Sequence, residues 1–223
     1  MKIGFIGAGA MAQALAKHAL DGGLSVMISN SRGPETLTVA ANRLGCETGT
    51  AQQAAEFGDV IVIAVPLYSF NKLPKEQLKG KIVLDLLNYF PHRDGYITEL
   101  NSLRMTTSEL VANYLTDSTV VKAFNSITVE DLRRDARPEG AKDRRAIPIA
   151  SNDQEAKNVV ARLIDKLGFD SVDGGKLSDS WRFERFRPAY CVAAPKEKLE
   201  GILETTTRDT VVADGYWLHH RFV

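Results

Sequence analysis

The sequence predicts an α/β fold built on a doubly wound parallel sheet, with a small C-terminal appendage. Three observations carry this expectation. The apolar run Met1–Ile6 leads at once into Gly7-Ala8-Gly9-Ala10-Met11-Ala12 and then into a helical pattern. Near-continuous apolar runs recur along the chain, as in parallel strands covered on both faces. Helical patterns stand between those runs, the alternation of a βαβ sheet.

The elements follow in order. A helix is expected from Ala10 to Asp21, ended by Gly22-Gly23, and then a strand over Leu24–Ser29. Pro34–Leu44 reads as a helix, with Leu37, Ala40, Ala41 and Leu44 at helical spacing and Gly45 after it. Thr50–Phe57 reads as a short helix. Asp59–Val65 is a buried strand stopped by Pro66, and a helical segment closes at Leu78–Gly80. Lys81–Leu86 is a strand, Glu109–Leu115 a helix, and Thr119–Phe124 and Ala146–Ala150 are strands. Asp153–Leu167 is an amphipathic helix whose apolar face is Ala156, Val159, Val160, Leu163, Ile164 and Leu167. Phe169–Val172 is a last short strand. After Gly174 the pattern breaks down, so the expected division is 1–173 for the sheet domain and 174–223 for a region that closes the ligand edge or joins two subunits.

The first turn implies a ligand. G-x-G-x-x-A between a strand and a helix is the dinucleotide-binding fingerprint of the Rossmann fold. Gly7 permits the tight turn, Gly9 lets the backbone approach a pyrophosphate, and Ala12 allows close packing of helix on strand. The phosphates would rest on free N–H groups at the positive end of the helix dipole. An NAD site usually has a carboxylate at the tip of the second strand, for the ribose 2′-hydroxyl. Here the tip reads Asn30-Ser31-Arg32-Gly33-Pro34, which offers a hydroxyl and a guanidinium suited to a 2′-phosphate. Glu35 opposes that reading with a nearby negative charge. NADP is therefore the expected cofactor.

Composition excludes other classes. Lys plus Arg and Asp plus Glu are equal at 28 each, so no net field favours nucleic acid or an anionic membrane. No apolar run approaches the ~20 residues that span a bilayer, and the start lacks a signal-peptide pattern. A soluble cytoplasmic protein is expected. The two cysteines, Cys46 and Cys191, read as ordinary buried thiols.

Ligands of such a sheet bind outside the carboxyl ends of its strands. The residues placed there are Gly7 to Met11, Asn30 to Arg32, Ala64, Pro66 to Tyr68, Asn88, Asn125 and Ser126. For Asn88 and Asn125, a turn-forming role and a ligand role both stand. No carboxylate or histidine leads this set. His18 lies on the first helix, His219-His220 lie in the tail, and His92 reads as a loop residue. Arg133, Arg134, Arg137, Lys142, Arg144 and Arg145 read first as a solvated loop salted with acidic residues, the alternative being a cationic patch for the acidic tail of a deazaflavin. The segment Trp181–Tyr190 reads first as aromatic burial against the sheet or a partner subunit, the alternative being stacking on a flat ring.

These pieces resemble the family of coenzyme F420-dependent NADP oxidoreductases. The matching segments are Ile6–Gly9, Asn30–Gly33, Ile63–Pro66, Asp85–Asn88, Val121–Asn125 and Gly168–Gly175. The cytoplasmic domain of the membrane-anchored ferric reductases called STEAP is similar too. The resemblance spans roughly residues 1 to 190. It implies hydride transfer between NADPH and a deazaflavin (F420) or flavin (FMN or FAD). It assigns Gly7, Gly9 and Ala10 to the pyrophosphate, with Ala8 and Met11 beside them, and Ser31 and Arg32 to the 2′-phosphate. Ala64, Pro66, Asn88, Ala123 and Asn125 fall on the nicotinamide side. Family members often carry a second basic residue after the Ser-Arg pair, whereas this chain has Gly33, Pro34, Glu35 and Thr36.

Missing acid/base machinery suits this chemistry, because hydride transfer between two rings needs positioning and not a side-chain nucleophile. No metal site is expected. A small-molecule redox acceptor and a homodimer are the expected partners. The alternatives are an NADPH-binding sensor without turnover, or a reductase of a ferric chelate or an imine. Imine reductases of the pyrroline-5-carboxylate kind and hydroxyacid dehydrogenases need a long helical second domain, for which the residues after Gly174 are too few.

Overall fold

Period-two alternation decides which side of the sheet each strand residue serves. In the strand Val60–Ile63, Val60 and Val62 join one core while Ile61 and Ile63 join the other. The computed structural model describes residues 1–223. It contains eight strands: β1 Lys2–Ile6, β2 Ser25–Ser29, β3 Glu47–Gly49, β4 Val60–Ile63, β5 Ile82–Asp85, β6 Thr119–Lys122, β7 Ala146–Ser151 and β8 Asp170–Asp173. The helices are α1 Ala10–Asp21, α2 Thr38–Leu44, α3 Ala51–Phe57, α4 Lys75–Leu78, α5 Pro91–Asp94, α6 Thr98–Asn101, α7 Thr107–Tyr114, α8 Val129–Arg134, α9 Gln154–Lys166 and α10 Lys196–Thr205.

The strands form one sheet in the order β3-β2-β1-β4-β5-β6-β7-β8. The larger core packs α1, α8 and α9 on one face, and a smaller core packs α3, α4 and α7 on the other. This is the doubly wound arrangement expected. Helix starts are set locally. Thr50 and Gln53 form a reciprocal capping box at α3, and Asp153 accepts the Ala156 N–H at 2.8 Å to start α9.

Several expectations are corrected. The sheet is parallel except at β6–β7, which pair antiparallel through only Val121↔Ser151 and Lys122↔Ala150. Ala146–Ile149 therefore run past the end of β6, and β7 with β8 raises a wall beyond the carboxyl edge of the parallel strands. A strand buried on both faces reads the same in either direction, so the pattern does not reveal this. The short strand β3 carries no apolar run and leaves no strand signal in the sequence. Pro34–Leu44 is a 3-10 turn over Pro34–Leu37 followed by α2, not one helix.

The Arg144-Arg145 pair is not a solvated loop. Arg145 is wholly buried and bonds Asp131 at 2.8 Å and Asp135 at 3.0 Å. Arg144 is buried on Asp165 and Asp170, at 2.6 and 3.0 Å. Acidic neighbours that look like solvating charges in a linear reading become ion-pair partners once the chain folds. Cys191 is buried as expected, but Cys46 is only half-buried. Residues after Gly174 share a core with the sheet: Phe183, Ala189, Val192, Ala194, Leu199 and Leu203 pack on Ala146, Ala150 and Val172.

Candidate cofactor and hydride-transfer site

The β1–α1 turn is built for close approach. Gly7 has φ +110°, and a Cβ there would lie 2.3 Å from the Ala64 carbonyl oxygen, so any side chain would collide with the end of β4. At Gly9 a Cβ would meet nothing within 4 Å. That direction is open space in front of α1. No side chain caps α1 and no acidic residue stands in its first turn, so its leading N–H groups remain available to an anion. Ala8 is half-buried, Gly9 and Ala10 are exposed, and Ala12 is wholly buried against the sheet.

At the tip of β2, the Asn30 side chain accepts the Arg32 N–H at 2.9 Å and donates to Thr36 at 2.8 Å. This Asx turn shapes the loop. Ser31 and Arg32 are exposed, and the Arg32 guanidinium has no hydrogen-bond or ion-pair partner; only its backbone is engaged. The Glu35 carboxylate folds back over Gly33, with Oε1 2.3 Å from where a Gly33 Cβ would stand. The charge that opposed the 2′-phosphate reading therefore stays close to the loop.

Along the carboxyl edge runs a cleft of about 470 Å³, within the size range of small-ligand sites. One side carries Gly9, Met11, Ala64 and Pro66; the floor carries Asn88 and Asn125; the far side carries Tyr190, Cys191 and Trp217. The structure thus brings Gly9, Met11, Ala64, Pro66, Asn88 and Asn125 together. Gly7, Ala8, Ala10, Asn30, Ser31 and Arg32 lie outside this cleft, in the β1–α1 turn and the β2 tip. Ala123 is wholly buried in the sheet core and is not part of the cleft lining, whereas its neighbours Phe124 and Asn125 are.

The two asparagines are joined. Asn88 Nδ2 donates to the Asn125 carbonyl at 2.8 Å, and Asn125 Nδ2 donates to the Phe183 carbonyl at 3.0 Å. Asn125 Oδ1 is buried with no partner. A buried orphan acceptor beside a cleft awaits a donor, and a carboxamide N–H supplies one. Phe124 adopts φ +57°, a left-handed conformation that a bulky residue rarely takes. It turns the chain off β6 at this point.

Sequence reasoning missed Phe90, Arg93, Thr128, Cys191 and Trp217 in the cleft lining. Phe90, Arg93 and Thr128 follow strand ends and were open to the same argument; the tail residues carried no signal. Burial pushes the Tyr190 hydroxyl well above its ordinary range and the Cys191 thiol up to about 12. Neither gives up a proton at neutral pH. His18, on α1, donates from Nε2 to the Leu132 carbonyl at 2.7 Å and is not part of the cleft lining, and His92 is exposed on α5.

An uncapped helix start at a Gly-rich strand end, beside a cleft at the carboxyl edge of a doubly wound sheet, has the form of a dinucleotide-binding site of the Rossmann kind. Residues 2–89 match the family model described as NADP oxidoreductase, coenzyme F420-dependent, the family that the sequence resembles. Metalloreductase STEAP3 of Rattus norvegicus is 30% identical over 187 residues, which cover 82% of this chain and 36% of that protein. The chain thus spans about a third of the length of the curated relatives it matches. The crystal structure of a hypothetical protein from Sinorhizobium meliloti shares 29% identity at a TM-score of 0.76, covering 88% of this chain and 95% of that one. A proposed F420-dependent NADP reductase from Arthrobacter sp. shares 24% identity at a TM-score of 0.69, covering 82% and 87%; at that identity the likeness shows the fold. No helix is long and apolar enough to cross a membrane.

Proposed function

We propose that this chain binds NADP(H) along the carboxyl edge of its sheet and transfers hydride between it and a deazaflavin (F420) or flavin-type acceptor. When bound, the dihydronicotinamide supplies the hydride, and a proton from solvent balances reduction of the acceptor. The chain's own residues position. The α1 N-terminus and the Gly7–Gly9 turn hold the pyrophosphate, Ser31 and Arg32 hold the 2′-phosphate, and Asn125 Oδ1 takes a carboxamide N–H. Pro66 and Asn88 border the same ring. Residues 1–173 form the cofactor-binding part and residues 174–223 the acceptor edge. The exposed Val211, Leu218 and Phe222 support a second role for the tail in joining two copies, read by light scattering.

The observation that carries this reading is the pairing of an unobstructed Gly9 with a partnerless Arg32 guanidinium at the next strand tip. The test is calorimetric titration with NADPH and NADH, then NADPH oxidation followed at the reduced-nicotinamide band with FMN, FAD, F420, ferric chelates and cyclic imines. Preferential NADPH binding with turnover of a ring acceptor is expected. Binding without acceptor-dependent oxidation would make the chain a sensor. Absence of binding to either nicotinamide nucleotide overturns the proposal.

A further inference from the structure

The tail doubles back to the cleft. After α10 the chain makes a 3-10 turn at Tyr216–His219 and ends against the segment that follows Tyr190. The Phe222 N–H donates to the Ala193 carbonyl at 2.7 Å, and Arg221 forms a parallel bridge with Ala193. The Arg221 guanidinium donates to Asp131 at 3.2 Å and to Asp135. Both carboxylates also accept from the buried Arg145. The end of the chain is thus tied to α8 and, through shared carboxylates, to β7.

This anchoring presents Trp217. It packs on the core of Ala146, Ala150, Val172 and Phe183 and meets Tyr190 edge to face, with centroids 5.4 Å apart at 80°. Its ring is half-buried and lines the cleft. It belongs to the wall raised by β7 and β8, across from Gly9, Met11, Ala64 and Pro66. The cofactor's recognition elements all lie on the β1–β6 side, so Trp217 stands where the second reactant would enter.

We propose that Trp217 is the platform on which the acceptor's ring lies. This inference rests on the reading given under Proposed function and adds the residue that holds its acceptor. A flat ring gains from a parallel or edge contact with indole.

The test uses the whole chain loaded with NADP+, titrated with FMN and with F420 by calorimetry. The proteins are wild type, Trp217→Ala and Trp217→Phe, with thermal melts confirming that each is folded. Trp217→Ala should raise the Kd of the ring acceptor about two- to tenfold, Trp217→Phe should restore most of that loss, and the Kd for NADP+ should stay unchanged in both. Acceptor binding should also quench an emission component that wild type has and Trp217→Phe lacks. An unchanged acceptor Kd in Trp217→Ala overturns the inference. So does an equal loss of NADP+ affinity, which would put the indole on the nicotinamide. Wild type that binds NADP+ but neither FMN nor F420 overturns it too, while leaving the cofactor reading intact. Wild type that binds no NADP+ removes the cofactor reading and this inference together.

Discussion

Lys122 Nζ lies 3.2 Å from Asp85 Oδ2, and neither side chain is exposed to solvent. The pair holds both backbone groups of one residue. Asp85 Oδ1 accepts the Leu87 N–H at 2.8 Å, and Lys122 donates to the Leu87 carbonyl. Ser108 Oγ donates to Asp85 Oδ2 at 2.7 Å. One residue further, Asn88 enters the cleft. A buried ion pair at the ends of β5 and β6 therefore fixes the edge on which the nicotinamide would rest.

Lys122→Met should destabilise the fold by about 3–5 kcal/mol, because it strands a buried carboxylate. Adding Asp85→Asn removes the charge while keeping an acceptor for Leu87, and should recover part of that loss. Urea unfolding of the two variants checks this. Equal stability of both with wild type would contradict the pairing.

Gly9→Val separates folding from binding. Gly9 has extended backbone, φ −71° and ψ −179°, that any residue can adopt, and its Cβ direction is empty. Stability should fall by no more than about 1 kcal/mol, the scale of a helix-cap change, while NADPH affinity is lost to steric intrusion. A melt and a titration on the same sample decide it. Retained NADPH binding would place the cofactor elsewhere.

Arg32→Ala should weaken NADPH by about tenfold to a hundredfold, the value of hydrogen bonds to a charged group, and leave NADH nearly unchanged. Glu35→Gln should act in the opposite sense, since it removes the carboxylate folded over Gly33. The readout is the ratio of the two dissociation constants. An unchanged ratio in Arg32→Ala would end the 2′-phosphate assignment.

Acid should release the tail only well below neutrality. Burial raises the Asp135 carboxyl, but hydrogen bonds from Arg221, Arg134 and Arg145 outweigh it and hold the group below the usual carboxylate range. A value lowered in the folded state gives stabilisation that is complete above the ordinary Asp value of about 3.9 and is lost as pH falls through the folded value. Trp217 emission should therefore stay constant from pH 7 to about pH 4 and change below it. Release at pH 6 would show that the carboxylates do not hold Arg221.

Cys191 should resist thiol reagents. The thiolate is the reactive form, and burial, the largest influence, pushes this thiol up to about 12. Cys46 is also raised, by burial and by Glu47, but it is half-exposed. Maleimide labelling at pH 8 followed by peptide mass mapping should find Cys46 modified first, with Cys191 modified only after denaturation. Rapid native labelling of Cys191 would show that the Tyr190–Trp217 wall opens.

Much of the parallel part was legible from the chain alone. Its strands are apolar runs and its helices are periodic, so Ile3, Phe5, Val60, Val62 and Leu84 announce a core through local spacing. The fingerprint at Gly7–Ala12 and the carboxylate-free tip at Ser31-Arg32 are equally local, since each needs only neighbouring residues to create its geometry.

Residues 1–90 declare the nucleotide-binding architecture by themselves, because turn, strand and helix signals there all act over a few positions. Tertiary structure alone decided the reversed β7, the burial of Arg145 and the arrival of Trp217 at the cleft. Each depends on partners far apart in the chain: Arg145 on Asp131, Asp135 and the Cys191 carbonyl, and Trp217 on Tyr190 and the Arg221 anchor. Charge pairing and aromatic contact across such separations leave no periodic trace in a linear pattern.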